Sequence, residues 1–383
     1  MTLPLEGLLV VGLEQAIAAP FCTRQLADMG ARVIKVESET GDFTRYYDDV
    51  VHGTSAHFAW ANRGKESLVL DLKSEAGRAD LELLLERTDV LVQNLAPGTA
   101  ERLGFDARAA TSRHAQLVAV DISGYGRGGP KATARAYDLL VQSESGSCAI
   151  TGTPEHPAKP GVPLVDLGTG MHAANAILAA LLERQATGHG RAISVGMFDV
   201  ATDWMSFAFH QARYTGRDLE PNGMSSPLVA PYGAYQTADG QTIVVGTTSD
   251  REWQRLATDV LGRPDLAADP RYARNTDRVA RRDELEGAIA EWAAQRDFDD
   301  IAKTVDAAQL GWARFNRPTD VLEHPQLVQR GRWHDTGSPG GSFPTLAPPA
   351  DVDGWDWQPH PVPAVGEHTA SIAAEFGLSA AGS

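Results

Sequence analysis

Residues 8–36 read Leu8-Leu-Val-Val-Gly-Leu-Glu-Gln-Ala-Ile-Ala-Ala-Pro-Phe-Cys-Thr-Arg-Gln-Leu-Ala-Asp-Met-Gly-Ala-Arg-Val-Ile-Lys-Val36, and this stretch decides the fold. Leu8 to Gly12 is a short, continuous apolar run. Pro20 to Met29 has helical texture, and Arg32 to Val36 is a second run of the first kind. A strand that is apolar on both faces has to be covered on both, which points to a parallel sheet with helical crossovers. The same alternation continues outward. Leu68 to Leu72, Val90 to Asn94 and Leu117 to Ile122 read as further strands, and Glu75 to Arg87 as an amphipathic helix with Leu81, Leu84 and Leu85 on one face. The first half is therefore a Rossmann-like α/β domain. No Gly-x-Gly-x-x-Gly follows the first strand, which argues against an NAD-dependent oxidoreductase. Gly124-Tyr-Gly-Arg-Gly-Gly129 precedes Pro130 rather than a helix and reads as a turn.

From about Asn222 to Arg332 the texture changes. Gly233 to Thr237 and Thr242 to Gly246 form a strand pair around Ala238-Asp239-Gly240. Charged helices follow at Asp250 to Val260, Arg282 to Gln295 and Phe298 to Ala308, with Arg263 to Arg281 read as a loop. This is a smaller α+β domain. The Pro- and Gly-rich segment from Gly337 to Pro363 is expected to run extended, before a last helix at His368 to Phe376. The expected boundaries are 1–215, 222–332 and 333–383.

At 383 residues the chain exceeds one ordinary core. Its 34 basic against 50 acidic residues give a net charge of −16, which argues against a nucleic-acid surface. An anionic ligand would have to be met by local cations. The strongly apolar stretch Ala173 to Leu182 is too short to span a bilayer, so no membrane partner is expected. Two cysteines, Cys22 and Cys148, and a first segment without a basic or apolar leader fit a reducing cytoplasm. Each cysteine reads as a small buried hydrophobe. Without CxxC or His-rich surroundings, no metal is expected.

Asp166 is the residue with most to say about chemistry. It lies in Lys159-Pro-Gly-Val-Pro-Leu-Val-Asp-Leu-Gly-Thr-Gly-Met-His172, between an apolar run at Val162 to Val165 and an apolar helix read from Met171 to Leu182. Gly168 and Gly170 frame the turn in this reading. A carboxylate at a strand end and a helix N-terminus is favoured by free N–H groups and by the dipole. A plain N-cap and a functional carboxylate are equal candidates on that local ground.

The wider pattern resembles the family III CoA-transferases, which include formyl-CoA transferase, carnitine CoA-transferase and alpha-methylacyl-CoA racemase. The resemblance runs through Gly30 to Glu37, Gly41-Asp42, Thr44-Arg45, Asn62-Arg-Gly-Lys65, Leu70-Asp-Leu-Lys73, Asn94-Leu-Ala-Pro-Gly98 and Arg102-Leu-Gly104. It continues through Gly124-Tyr-Gly126, Ala136-Tyr-Asp138, the Asp166 segment, Ala230-Pro-Tyr232 and Gly366-Glu-His-Thr369, in family order. It implies an interlocked homodimer whose large domain uses both termini of each chain. It also implies an acyl-CoA:carboxylate CoA-transferase with Asp166 as nucleophile, coenzyme A being substrate and not a resident cofactor. CoA contacts are implied near Asn94, Arg102 and Arg135, and Ile17 and Ala18 stand where relatives shape the acyl site. Arg45, Arg63 and Lys65, in loops or at their edges, are further candidate cations. Some relatives carry Gln where this chain has Ile17, so a less polar, medium-sized acid is expected in place of oxalate. Oxyanion donors are sought at Gly168, Gly170 or the Asn222-Gly-Met-Ser-Ser226 loop. The racemase branch places a His directly before the Asp matching Asp138, where this chain has Tyr137. His172 is the only nearby imidazole, so proton exchange is disfavoured. A silent CoA-binding protein is the remaining alternative, and the presence of Asp166 argues against it.

Overall fold

The computed structural model describes residues 3–379. Six strands form one parallel sheet: β1 (Leu9–Leu13), β2 (Arg32–Glu37), β3 (Lys65–Val69), β4 (Val90–Gln93), β5 (Val118–Ser123) and β6 (Ala192–Gly196), in the order β3-β2-β1-β4-β5-β6. β1 pairs with both β2 and β4, so successive crossovers run in opposite directions from it. The carboxyl ends of β1 and β4 therefore flank the switch point at which open α/β sheets bind ligands.

Each apolar run serves two cores, because alternate residues of a strand face opposite ways. On one face Val10, Val33, Val90, Val92, Val118 and Val120 pack with helix α1 (Ala18–Asp28) through Cys22 and Leu26. Ala173, Ala174 and Ile177 of a long helix join the same cluster. On the other face Leu9, Val11, Ile34, Val36 and Leu91 pack with helix α2 (Glu75–Leu85), which Ser74 caps at the Gly77 N–H, 2.9 Å away. Ile372 and Phe376, from the helix Thr369–Phe376, complete this second core.

Two compact units divide the chain. One takes in the chain up to Gly146, Pro160–Ser206 and the described residues from Gln326 on; the other is Ser147–Lys159 with Phe207–Pro325. The second unit has a three-stranded antiparallel sheet of β7 (Tyr232–Gln236), β8 (Thr242–Gly246) and β9 (Gly311–Arg314). Its core contains Trp253, Ile289, Phe298 and Ile301.

Several expectations need correction. β6 carries no strand signal in the sequence, because Ala192-Ile-Ser-Val195 alternates exposed and half-buried side chains at a sheet edge and forms no continuous apolar run. The supposed loop Arg263 to Arg281 holds short helices at Pro264–Ala268, Pro270–Tyr272 and Asn275–Val279. The tail is not simply extended: β10 (Trp333–Ser338) and β11 (Gly341–Leu346) form a hairpin around Pro339 and Gly340. Pro344 is tolerated because a two-stranded ribbon leaves one side of each strand unpaired. Val162 to Val165 is no strand, since a 24-residue helix already begins at Leu164. By length and composition this helix could cross a bilayer, contrary to the shorter stretch read from sequence, but Val165, Ala173, Ala174, Ile177 and Leu181 are buried within the protein. Cys22 is buried as expected, whereas Cys148 is only partly so.

Candidate active site

Helix α3 (Asp138–Glu144) and the long helix α4 (Leu164–Thr187) meet at their N-termini. No side chain of its own caps α4. Asp138 does so from α3, its Oδ1 accepting from the N–H groups of Val165 (2.9 Å) and Asp166 (3.3 Å). Gln142 Nε2 donates to the other Asp138 oxygen at 2.6 Å. Asp166 thus stands in the first turn of α4, not before it. Gly168 and Gly170 lie inside the helix, where their N–H groups are committed to carbonyls one turn back, so they cannot serve as the oxyanion donors sought there.

Both glycines are instead sites of close approach. A Cβ on Gly168 would lie 2.0 Å from Trp204 Cη2, and one on Gly170 would lie 2.6 Å from the Ala18 carbonyl oxygen. The start of α1 is therefore seated on α4 at Gly170, and Asp166, four residues earlier, occupies the same face. α1 has no side-chain cap, and Ile17 and Ala18 are buried, so what they offer a ligand is backbone rather than side chain.

Asp166 is half-buried, and burial followed by the nearby Asp138 charge pushes its carboxyl up to about 7. The dipole was expected to keep it low. A helix terminus contributes only about 0.3–1 kcal/mol, less than the opposing influences. The Tyr47 phenol is also raised, by partial burial and then by the charges of Asp42, Tyr137 and Asp166.

A crevice of about 440 Å³ opens at the carboxyl ends of β1, β2 and β4, lined in part by Leu13, Gln15, Ser38, Lys73, Leu95 and Arg102. Arg102 is exposed there and donates to Thr99 Oγ1 at 3.0 Å. Lys73, the last residue of the Leu70-Asp-Leu-Lys73 motif, is exposed on the same rim. Asn94 exchanges two bonds with the Gln15 backbone, at 2.9 and 2.8 Å, and so pins the loop that leads to α1. Arg135 is exposed two residues before Tyr137 and does not line the crevice. Arg45, Arg63 and Lys65 are internal, not ligand-facing. Arg45 forks onto Glu37 (3.0 and 2.7 Å), Arg63 onto Asp28 (3.0 and 2.8 Å), and Lys65 is bound to Glu14 at 2.6 Å. The Asn222 loop belongs to the second unit, where Ser225 Oγ donates to the Tyr232 carbonyl at 2.7 Å. Among the described residues no group of three or more His, Cys, Asp or Glu is placed to hold a metal ion.

A parallel α/β sheet, an acid at the start of α4 and a crevice at the switch point with Lys73 and Arg102 on its rim fit the family suggested by the motifs. The model of CoA-transferase family III matches residues 5–369. The chain belongs to CoA-transferase family III. It is 34% identical to an acetyl-CoA:oxalate CoA-transferase of Acetobacter aceti, over 97% of this chain and 96% of that protein. It is 31% identical to a succinate–glutarate CoA-transferase of Agrobacterium fabrum, over 97% and 96%. Among solved structures, a CAIB/BAIF family protein from Brucella suis superposes with a TM-score of 0.84 at 33% identity, covering 98% of this chain and 100% of that one. This family III member is accordingly a CoA-transferase.

Proposed function

We propose that this enzyme moves CoA between carboxylic acids through covalent intermediates on Asp166, as a cytoplasmic homodimer. The observation that carries the reading is a half-buried carboxylate on the face of α4 against which the uncapped start of α1 is seated. Asp166 attacks the thioester carbonyl of an acyl-CoA, and collapse of the tetrahedral intermediate releases CoA thiolate and leaves an acyl-aspartyl anhydride. Thiolate then attacks the aspartyl carbonyl, which frees the donor acid and forms an aspartyl-CoA thioester. An acceptor carboxylate attacks that thioester, and the steps run in reverse. A serine ester would be too stable to be resolved by a weak carboxylate nucleophile; an anhydride is not. Backbone N–H groups at the start of α1, around Ala18, are the donors for the developing oxyanions. Arg102 and Lys73 meet the CoA phosphates at the crevice, with Arg135 as a third contact, and Asn94 orients the Gln15 backbone.

For the acids, Ile17 in place of the glutamine of some relatives leaves no polar side chain there for oxalate, which supports a partly apolar, medium-sized acid. Relatives named for succinate, glutarate and mesaconate point to a four- or five-carbon dicarboxylate. Exposed Phe43, Tyr46, Tyr47, Tyr137, Leu139 and Leu140 support a second copy of the chain as partner, since monomers rarely leave such apolar surface open. Sedimentation of a monomer at micromolar concentration would remove that element. The chemistry is tested by incubating the protein with a panel of acyl-CoAs, trapping with hydroxylamine or borohydride and mapping the modified peptide. Modification of Asp166 is expected. No adduct from any acyl-CoA, despite measurable CoA binding, overturns the covalent route.

A further inference from the structure

Four charged side chains without a role in that chemistry are buried together beneath the loop between β1 and α1. Lys35, from the middle of β2, binds Asp42 Oδ2 at 2.9 Å and lies 3.6 Å from Glu14 Oε1. Lys65, at the start of β3, binds Glu14 Oε1 at 2.6 Å, and all four side chains are inaccessible to solvent. Two positive and two negative charges make the cluster neutral. Taking each ion out of water costs several kcal/mol, and mutual attraction does little more than offset that, so stability alone is a weak reason for the cluster.

What the cluster holds is more informative. Lys35 Nζ donates to the Glu14 carbonyl at 3.1 Å, and the Ala16 N–H points to Asp42 Oδ1 at 3.4 Å. Lys65 Nζ donates to the Pro20 carbonyl at 2.9 Å, and Thr23 Oγ1 donates to Glu14 Oε2 at 2.7 Å. Each of these bonds has one partner in the loop or the first turns of α1, while Lys65 Nζ also donates to Asn62 Oδ1 and Asp42 Oδ1 also accepts from the Thr44 N–H, both at 3.0 Å. Ala16 sits at φ 62°, a conformation that alanine rarely adopts unless its surroundings impose it. We propose that Lys35 and Lys65, acting through Asp42 and Glu14, are positioning residues for acyl transfer. They fix the β1–α1 loop so that Ala18 stays seated on Gly170, one turn from Asp166. The inference rests on Asp166 being the nucleophile.

A displacement of about 1 Å in such a site costs roughly 100-fold in rate. The test is Glu14→Gln/Lys65→Met, which removes one buried charge of each sign. Thermal melting, KM for the acyl-CoA and the rate of adduct formation at Asp166 are measured against wild type. The expected result is a cooperative fold, KM within about threefold and adduct formation slowed about tenfold or more. A folded double variant that forms the adduct at the wild-type rate overturns the inference. Should the double variant not fold, Thr23→Val removes one bond to Glu14 without touching a charge. It is expected to fold with a somewhat lower melting temperature and to slow the adduct several-fold with KM little changed, and a wild-type rate again overturns the proposal. Wild-type enzyme is the control for the reading beneath it: if it gives no adduct, Asp166 is not the nucleophile.

Discussion

At the start of α4 the dipole favours a negative Asp166, while burial and Asp138 oppose it. Moving a carboxyl from 3.8 to about 7 corresponds to something on the order of 4 kcal/mol against the charged form, beyond what a helix terminus returns. The folded protein therefore holds a proton on Asp166 between about pH 4 and 7 that the unfolded chain has given up. Stability from this group falls as pH rises through that window and stays low above it. Asp166→Asn should raise the melting temperature at pH 8 by about 5 °C, with the gain vanishing near pH 4 by calorimetry. The same variant should lose transfer by at least about a thousandfold while still binding CoA. The nucleophile must be ionised, so kcat/KM should rise with pH to a plateau above 7. Asp138→Asn keeps an oxygen for the Val165 and Asp166 N–H groups but removes the charge, and should move that limb about one unit toward acid. From sequence Asp166 is visible as a residue type, yet its environment is not: Asp138 lies 28 residues away and reaches it only when α3 meets α4.

β1, β2, β4 and β5 were legible because each is rich in valine, leucine and isoleucine feeding two cores, whereas β3 begins at Lys65 and meets the expected Leu68 to Leu72 run only at Leu68 and Val69, its first three residues being polar. β6 and the β10–β11 hairpin were not, because edge and ribbon strands carry no such run. The junction of α1 and α4 was also invisible, since a glycine within a helix gives no sign of what approaches it. Gly170→Ala puts a methyl group against the Ala18 carbonyl, backbone that cannot swing aside. It should cost about 1–3 kcal/mol by denaturant titration and slow transfer as well. The loop cations separate by the same reasoning. Arg102→Ala should weaken CoA binding about tenfold by calorimetric titration with stability unchanged, since it ties down only Thr99. Arg63→Ala should instead destabilise by up to about 3 kcal/mol, because the buried Asp28 carboxylate loses its two-pronged partner and keeps only Arg24 at 3.5 Å and the Trp357 indole N–H at 3.2 Å.

Across the whole molecule, distant segments of the chain meet on one sheet. The His368 N–H donates to the Ser67 carbonyl at 3.1 Å, and the Val69 N–H donates to Thr369 Oγ1 at 3.0 Å. Ile372 is fully buried among Leu81, Leu84 and Ile34. Ile372→Ala should cost about 2–5 kcal/mol, read as a fall in the unfolding midpoint. Sequence spacing could mark this helix but not its partner, which lies some 300 positions earlier. That separation sets a timetable for synthesis. At roughly 5–20 residues per second, β1 leaves the ribosome about 20–70 seconds before residue 376 is available to close the second core. Until then Leu81 and Leu84 of α2 and Leu91 of β4 lack the cover of Ile372 and Phe376. A nascent chain in this state is a natural client for holding chaperones, and a stalled or truncated one is a natural seed for aggregation.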